Sequence, residues 1–157
     1  SLKASVEGDL KAREEMALGQ YLAGMGFSNV GLGLVHGMAH PLGAWYDTPH
    51  GVANAILLPA VMNYNKEMTG EKYRHIAKAL GVLDVEEMTI EEARNQAVAV
   101  VKSLSEAVGI PKTLTEVGFD WNDVEQIAAD ALADVCTGGN PRETNIEDII
   151  ALYKELV

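Results

Sequence analysis

Three of the four histidines in this chain of 157 residues lie within one short segment, GLGLVHGMAHPLGAWYDTPH, from Gly31 to His50. His36 and His40 are four residues apart, so a helix through this segment would present both imidazoles on one face at neighbouring heights. That arrangement suits a shared metal ion or a shared polar cleft.

The third histidine, His50, follows the residues that typically begin a helix. Thr48 is a good N-cap and Pro49 is favoured at the first helical position, which predicts His50 in the first turn of a new helix. The spacing leaves the ligand set open, because neutral imidazole binds Zn, Fe, Ni or Cu, and two or three imidazoles need carboxylates or water to complete a site. The alternative is that His36 and His40 are core histidines with satisfied hydrogen bonds. Three histidines in one turn-linked segment favour the site.

Length and composition predict a single domain, residues 1–157, large enough to bury a hydrophobic core. A formal net charge of -11, with only 12 Lys and Arg, argues against a nucleic-acid surface. The one cysteine, Cys136, excludes an internal disulfide and fits a reducing compartment. The longest apolar run, Gly51 to Met62, is too short to span a bilayer. We therefore expect a soluble, cytoplasmic chain that binds neither membrane nor nucleic acid.

The hydrophobic pattern is helical nearly throughout, and no segment shows the alternation of a strand. We therefore predict an all-α domain of about six to seven helices. The predicted helices are Gly8 to Met25, the histidine segment to about His40, Thr48 to about Lys66, Glu71 to Leu80, Thr89 to Gly109, Asp120 to about Val135, and Thr144 (capped with Glu147) to the C terminus.

Glycine and proline mark the expected interruptions. The piece from Gly24 to Leu34, GMGFSNVGLGL, is expected to loosen into a turn. Pro41 is expected to end or bend the histidine helix, because the residue before a proline avoids the α region, and this would leave His40 at a helix terminus. The sequence of the segment Cys136 to Pro141, CTGGNP, predicts a loop. Its glycines either allow a ligand or neighbouring group to approach the backbone closely or serve only as turns.

The glycines near the histidines do not form a dinucleotide-binding fingerprint. After Gly31 and Gly33 the position that should be glycine is His36, and no strand precedes it. We interpret Gly33 and Gly37 as small residues that let helices pack closely. The fourth histidine, His75, lies in a charged helical pattern and is expected at the surface.

A longer run, GQYLAGMGFSNVGLGLVHGMAHPLGAWYDTPHGVANAILLPAVMNYN, resembles the signature region of the iron-dependent (group III) alcohol dehydrogenases. The resemblance continues through GEKYRHIAKALGV, EEARNQAV, VGIP, CTGGNPRE and IEDIIALY, so it covers essentially the whole chain. It implies a protein of two halves, an N-terminal α/β domain that binds NAD and a C-terminal all-α domain of the dehydroquinate synthase-like fold that carries the metal. This chain matches only the second half, so we expect a fragment without the NAD-binding domain.

The resemblance also implies roles for single residues. The family holds its metal with an aspartate and a histidine of a D-x-x-x-H motif and two further histidines, which correspond here to His36 and His50. Helical spacing alone would instead pair His36 with His40. No D-x-x-x-H occurs in this chain, so we expect two of four ligands and weakened metal binding. His40 matches the family's non-ligand histidine near the nicotinamide and is the candidate catalytic group, while Phe27 and Cys136 are implied to line the substrate pocket.

The implied activity is hydride transfer between a nicotinamide cofactor and a short alcohol, such as a 1,2-propanediol-like alcohol and its lactaldehyde-like aldehyde. Fe(II) is the implied metal, and Zn(II) also suits a histidine-rich site. The implied partners are the small-molecule substrate and the missing NAD-binding domain, without which we expect the chain to be inactive. Two alternatives stay open: a free-standing helical metal-binding or interaction module without catalysis, and a homo-oligomer formed through exposed apolar surface.

Overall fold

The structure, a computed structural model, describes all 157 residues and consists of helices without any strand, which confirms the all-α prediction. It has one helix more than the predicted range, because five residues at the N terminus form a short helix of their own. None of the helices combines the length and the apolar character needed to cross a membrane. The α-helices are α1 Leu2–Val6, α2 Leu10–Val30, α3 Leu34–Tyr46, α4 His50–Asn65, α5 Lys72–Ala79, α6 Ile90–Ala107, α7 Val124–Ala133 and α8 Ile146–Lys154, and short 3-10 helices cover Lys66–Met68, Thr115–Val117, Trp121–Asp123 and Thr137–Gly139.

The main core lies where α3, α4, α7 and α8 pack together. This core contains 17 buried residues, whereas a second cluster between α4, α5 and α6 contains six. The helices α3 and α4 are therefore anchored in the larger core. Tyr153 of α8 is fully buried in this core, and its hydroxyl donates to the carbonyl of Met38 in α3 at 2.8 Å. By contrast, α2 buries only Ala12, so the α1–α2 hairpin stands largely outside both cores.

Two glycines bring α3 close to the loop that follows α7. A Cβ added at Gly37 would lie 1.9 Å from Oγ1 of Thr137, which confirms that this glycine permits close packing. A Cβ at Gly139 would lie 2.2 Å from the carbonyl oxygen of Leu32, so the CTGGNP loop also makes a close backbone approach. At Gly33 the nearest atom is an ordinary 3.5 Å away, and the close-packing interpretation is not needed there.

The turn predicted from Gly24 onward is shorter than expected, because α2 continues to Val30. A glycine inside a helix costs only about 1 kcal/mol, which the helical hydrogen bonds on either side outweigh. The side chain of Ser28 also donates to the carbonyl of Gly24 at 2.7 Å. The helix ends at Gly31, whose φ of 82° lies in the region that favours glycine.

Pro41 does not end α3, so the prediction that His40 lies at a helix terminus is wrong. The helix continues to Tyr46, and both residues lie inside it. Pro41 removes one backbone hydrogen bond, but it is buried beside the fully buried Leu42, and packing against the core outweighs the local cost.

The predicted start of α4 is one residue too early. The N-cap is Pro49, whose ψ of 129° is not helical, so the helix begins at His50. Thr48 is therefore not the cap, and its hydroxyl oxygen is buried without a hydrogen-bond partner. His50 nevertheless occupies the first turn of α4, as predicted.

The remaining caps follow the sequence more closely. The Thr89–Glu92 capping box at the start of α6 is confirmed. At α8 the box is formed by Asn145 and Asp148, one residue later than predicted. The physical reason is that the Thr144 hydroxyl instead donates to a nearby backbone carbonyl in the preceding loop.

Candidate metal centre

Three imidazoles converge at the junction of α3 and α4. The ring centroids of His36 and His50 are 5.2 Å apart, those of His40 and His50 are 5.5 Å apart, and those of His36 and His40 are 6.0 Å apart. The structure thus brings together the three histidines that the sequence singled out. The fourth, His75, lies exposed on α5, as predicted.

A tight turn between α3 and α4 makes this convergence possible. Asp47 adopts a left-handed conformation with φ of 54°, and its N–H donates to the carbonyl of Gly43 at 3.1 Å. Aspartate tolerates this conformation better than most residues. The chain therefore reverses within three residues and starts α4 with His50 next to the face of α3 that carries His36 and His40.

His36 is half-buried, and burial lowers its pKa below the ordinary value for histidine. The neighbouring rings of His50 and His40 lower the pKa further, since a second positive charge there would be repelled, whereas the Asp134 carboxylate acts in the opposite direction. The ring of His36 is consequently neutral at neutral pH. Neutral imidazole is the form that binds metal ions.

A carboxylate that the sequence analysis did not identify contacts the second histidine. Oδ2 of Asp134 lies 2.8 Å from Nδ1 of His40, and Oδ1 accepts a hydrogen bond of 2.8 Å from the backbone N–H of Cys136. Burial works to raise the pKa of Asp134, but the hydrogen bonds from Cys136 and His40 together outweigh it, and the pKa lies below its usual value. Asp134 is therefore ionised at neutral pH and fixes the orientation of the His40 ring.

The thiol of Cys136 belongs to the same group of contacts. Burial raises its pKa, and the hydrogen bond and negative charge of Asp134 raise the pKa further. The free thiol is therefore protonated at neutral pH. One ligand atom from each of His40, Asp134 and Cys136 lies within 4.8 Å of the others.

His50 has a partner on its own helix. Its Nε2 lies 2.9 Å from the amide nitrogen of Asn54, one turn further along α4. The side-chain oxygen of Asn54 is buried and has no hydrogen-bond partner. Spacing of four residues on a helix is a signal that could have identified Asn54 from the sequence, whereas no local signal links Asp134 to His40.

A cavity of about 700 Å³ opens beside the histidines. Its lining includes His36, Asn54 and Leu58, together with the glycine-rich turn after α2. The two residues implied to line a substrate pocket are not among its walls. Phe27 is 46% exposed on α2, and Cys136 lies half-buried beside Asp134.

The residues present fit half of an iron site. His36 and His50 are the closest ring pair, and His36 is neutral at neutral pH. His40 also keeps one ring nitrogen, Nε2, free, because its Nδ1 contacts Asp134; only the resemblance makes it the non-ligand histidine. The resemblance implies that the other two ligands lie in a D-x-x-x-H motif, and no such motif occurs in this chain.

The chain as a whole is similar to known proteins. The sequence model described as "Fe-containing alcohol dehydrogenase family, C-terminal" matches residues 1–157. The chain is 66% identical over 153 residues to lactaldehyde reductase of Escherichia coli (strain K12), covering 98% of this chain and 40% of that enzyme. It is 42% identical over 147 residues to 1,3-propanediol dehydrogenase of Klebsiella pneumoniae, covering 94% of this chain and 38% of that enzyme.

The fold agrees with solved structures. An alcohol dehydrogenase from Oenococcus oeni superposes with a TM-score of 0.95 at 37% identity, over 100% of this chain and 41% of that one. The chain thus spans about 40% of the length of the curated relatives that it matches.

Proposed function

Because this chain belongs to the Fe-containing alcohol dehydrogenase family, whose C-terminal region it matches from residue 1 to 157, we propose that it is the metal-binding part of an alcohol dehydrogenase. In this proposal His36 and His50 supply two of the metal ligands. The remaining ligands and the NAD site come from the part of the relatives' length that this chain does not span.

The observation that carries the proposal is the convergence of histidines from two helices at the edge of a cavity. His36 and His50 come from different helices, yet their ring centroids are 5.2 Å apart. His36 also lines the cavity of about 700 Å³, which is large enough for a short alcohol and part of a cofactor. The site therefore combines metal ligands with space for a small substrate.

A divalent iron, when bound, supplies Lewis acidity that polarises the oxygen of an alcohol or aldehyde during hydride transfer to or from a nicotinamide. The chain's own residues orient the imidazole rings and exchange protons with the substrate. Asp134 holds the ring of His40 through Nδ1, which leaves Nε2 as the nitrogen free to exchange a proton with the substrate hydroxyl. The amide nitrogen of Asn54 contacts the other ring nitrogen of His50, Nε2, at 2.9 Å, which leaves Nδ1 of His50 as the nitrogen free to bind the metal.

We assign the substrate class from the relatives. The name of the E. coli relative specifies lactaldehyde, and that of the Klebsiella relative specifies 1,3-propanediol. Both are short molecules with more than one oxygen function. We therefore propose a short aldehyde of the lactaldehyde type and its diol as the substrates of the intact enzyme, with NAD as the hydride carrier, and no activity for this chain alone.

The test is calorimetric titration of the purified chain with Fe(II) under argon. We expect weak binding that falls at least about tenfold in His36→Ala and in His50→Ala, since each variant removes a ligand. His75→Ala is the matched control, because this histidine is exposed on α5 outside the cluster and its loss should leave the affinity unchanged.

Fe(II) affinity that is the same in wild type, His36→Ala and His50→Ala would overturn the assigned ligand pair. Lactaldehyde reduction by the purified chain with NADH would contradict its expected inactivity. Tight binding that depends on His36 but needs no other domain would favour the alternative of a free-standing metal-binding module.

A further inference from the structure

We propose that His40, Asp134 and Cys136 form a second metal site, distinct from the His36–His50 pair, that takes a thiophilic divalent cation such as Zn(II) or Cd(II). The proposal does not depend on the dehydrogenase activity. It concerns a set of three donor groups that α3 and the loop after α7 place together.

The geometry is that of a site with three protein ligands. The candidate ligand atoms of the three residues all lie within 4.8 Å of one another, and Nδ1 of His40 is 2.8 Å from Oδ2 of Asp134. With Zn–N and Zn–O bonds of about 2.1 Å and a Zn–S bond of about 2.3 Å, ligand atoms on one tetrahedral zinc ion lie roughly 3.4–3.6 Å apart. The hydrogen bond between His40 and Asp134 therefore opens when the ion binds between them. Water completes a tetrahedral arrangement, as in open zinc sites.

The loop that carries two of the ligands is held in place without a metal. Oδ1 of Asp134 accepts the backbone N–H of Cys136 at 2.8 Å, and this leaves Oδ2 directed to His40. The buried hydroxyl of Thr137 donates to the carbonyl of Ala131 at 2.6 Å, which fixes the loop to the end of α7. A metal ion therefore meets donors that are already arranged, and little conformational entropy is lost on binding.

The site is also accessible and has suitable chemistry. The side chain of His40 is 40% exposed, so an ion can reach it from solvent. A thiolate with an imidazole and a carboxylate favours Zn(II) and Cd(II), whereas the all-imidazole pair of His36 and His50 offers no sulfur. When the cation binds, the Cys136 sulfur forms the bond to the metal and its proton passes to the buffer. The proton on Nδ1 of His40 is also released and Nε2 takes one up from water, so the ring stays neutral and Nδ1 binds the metal.

Co(II) is the probe, because a cobalt–thiolate bond gives a sulfur-to-metal charge-transfer band in the near ultraviolet that imidazole and carboxylate ligands do not give. We expect the band to appear on titration of the whole reduced chain with Co(II) under argon and to saturate. It should be absent in Cys136→Ser, and His40→Gln and Asp134→Asn should each weaken Co(II) binding at least about tenfold. Zn(II) should displace Co(II) and abolish the band.

His36→Ala is the control that separates the two sites, since it should leave the charge-transfer band intact while it weakens Fe(II) binding. Alkylation of Cys136 gives a second measurement on the unmodified chain, which Zn(II) should slow and which does not depend on the folding of any variant. Absence of the band at saturating Co(II), or alkylation that Zn(II) does not slow, would overturn the proposal. A band lost in His36→Ala but retained in His40→Gln would also overturn it, because the thiol would then belong to the other site.

Discussion

Gly37 lies where α3 meets the loop after α7, and Gly37→Ala tests how much this close contact contributes to the stability of the fold. The new Cβ would lie 1.9 Å from Oγ1 of Thr137 and 3.3 Å from the carbonyl oxygen of Ala131. The Thr137 hydroxyl cannot rotate away freely, because it donates to that same carbonyl at 2.6 Å in a buried position. The substitution therefore both overpacks this contact and displaces the hydroxyl from its hydrogen bond.

The expected loss in the free energy of unfolding follows from three contributions. Overpacking a buried contact costs about 1–3 kcal/mol, and the loss of a buried hydrogen bond costs about 1 kcal/mol. Replacing glycine by alanine inside a helix returns about 0.5–1 kcal/mol. We expect Gly37→Ala to lower the free energy of unfolding by about 2 kcal/mol, which corresponds to a fall in Tm of about 4–8 °C for a domain of this size.

Urea denaturation followed by circular dichroism measures the change, with Gly19→Ala as the matched control. Gly19 also lies inside a helix, but nothing is within 4 Å of its added Cβ, so that variant should be neutral or slightly more stable. In a Thr137→Ala background the cost of Gly37→Ala should shrink to below about 1 kcal/mol, since the clashing oxygen is gone. Equal costs of Gly37→Ala in both backgrounds would refute the reasoning, because the clash with the threonine hydroxyl would then not be the cause.

Three further predictions concern single contacts. Thr89→Ala removes the N-cap of α6 and should lower the free energy of unfolding by about 1 kcal/mol in urea denaturation, while an unchanged midpoint would contradict the role of the cap. Tyr153→Phe removes the hydroxyl that donates to the buried carbonyl of Met38 at 2.8 Å. Thermal unfolding should show a free energy of unfolding that is lower by about 1–3 kcal/mol, whereas a smaller loss would mean that water replaces the hydroxyl. The raised pKa of Cys136 should place the midpoint of a pH–rate profile for alkylation by iodoacetamide above that of a free cysteine. Asp134→Asn removes the neighbouring negative charge, so it should move this midpoint to lower pH, and a shift to higher pH would contradict the assigned cause.

The helices and several of their caps were predictable because their signals act within one turn of chain. The Thr89–Glu92 box at α6 is confirmed, and Gly81, with φ of 86°, follows the end of α5 as predicted. Where the prediction was wrong, packing outweighed the local signal. Pro41 lies inside α3 because its ring is buried in the core, and that gain cannot be read from neighbouring residues.

The candidate site was predictable in part for the same reason. The proximity of His36 and His40 follows from the helical repeat, and His50 follows one short turn later. Phe27 and Cys136 were placed by resemblance alone, and the structure brings neither to the cavity beside His36. Their role in a substrate pocket stays a prediction for the intact enzyme.

The sequence by itself determined an all-α chain with three histidines close along the backbone, because the helical repeat and the turn residues act over a few positions. Only the tertiary structure decided which groups surround those histidines. Asp134 contacts His40 across 94 residues of sequence, and Thr137 fills the space that Gly37 leaves open. Contacts of this kind depend on how α3 and α7 pack in a common core, and no local pattern encodes that packing.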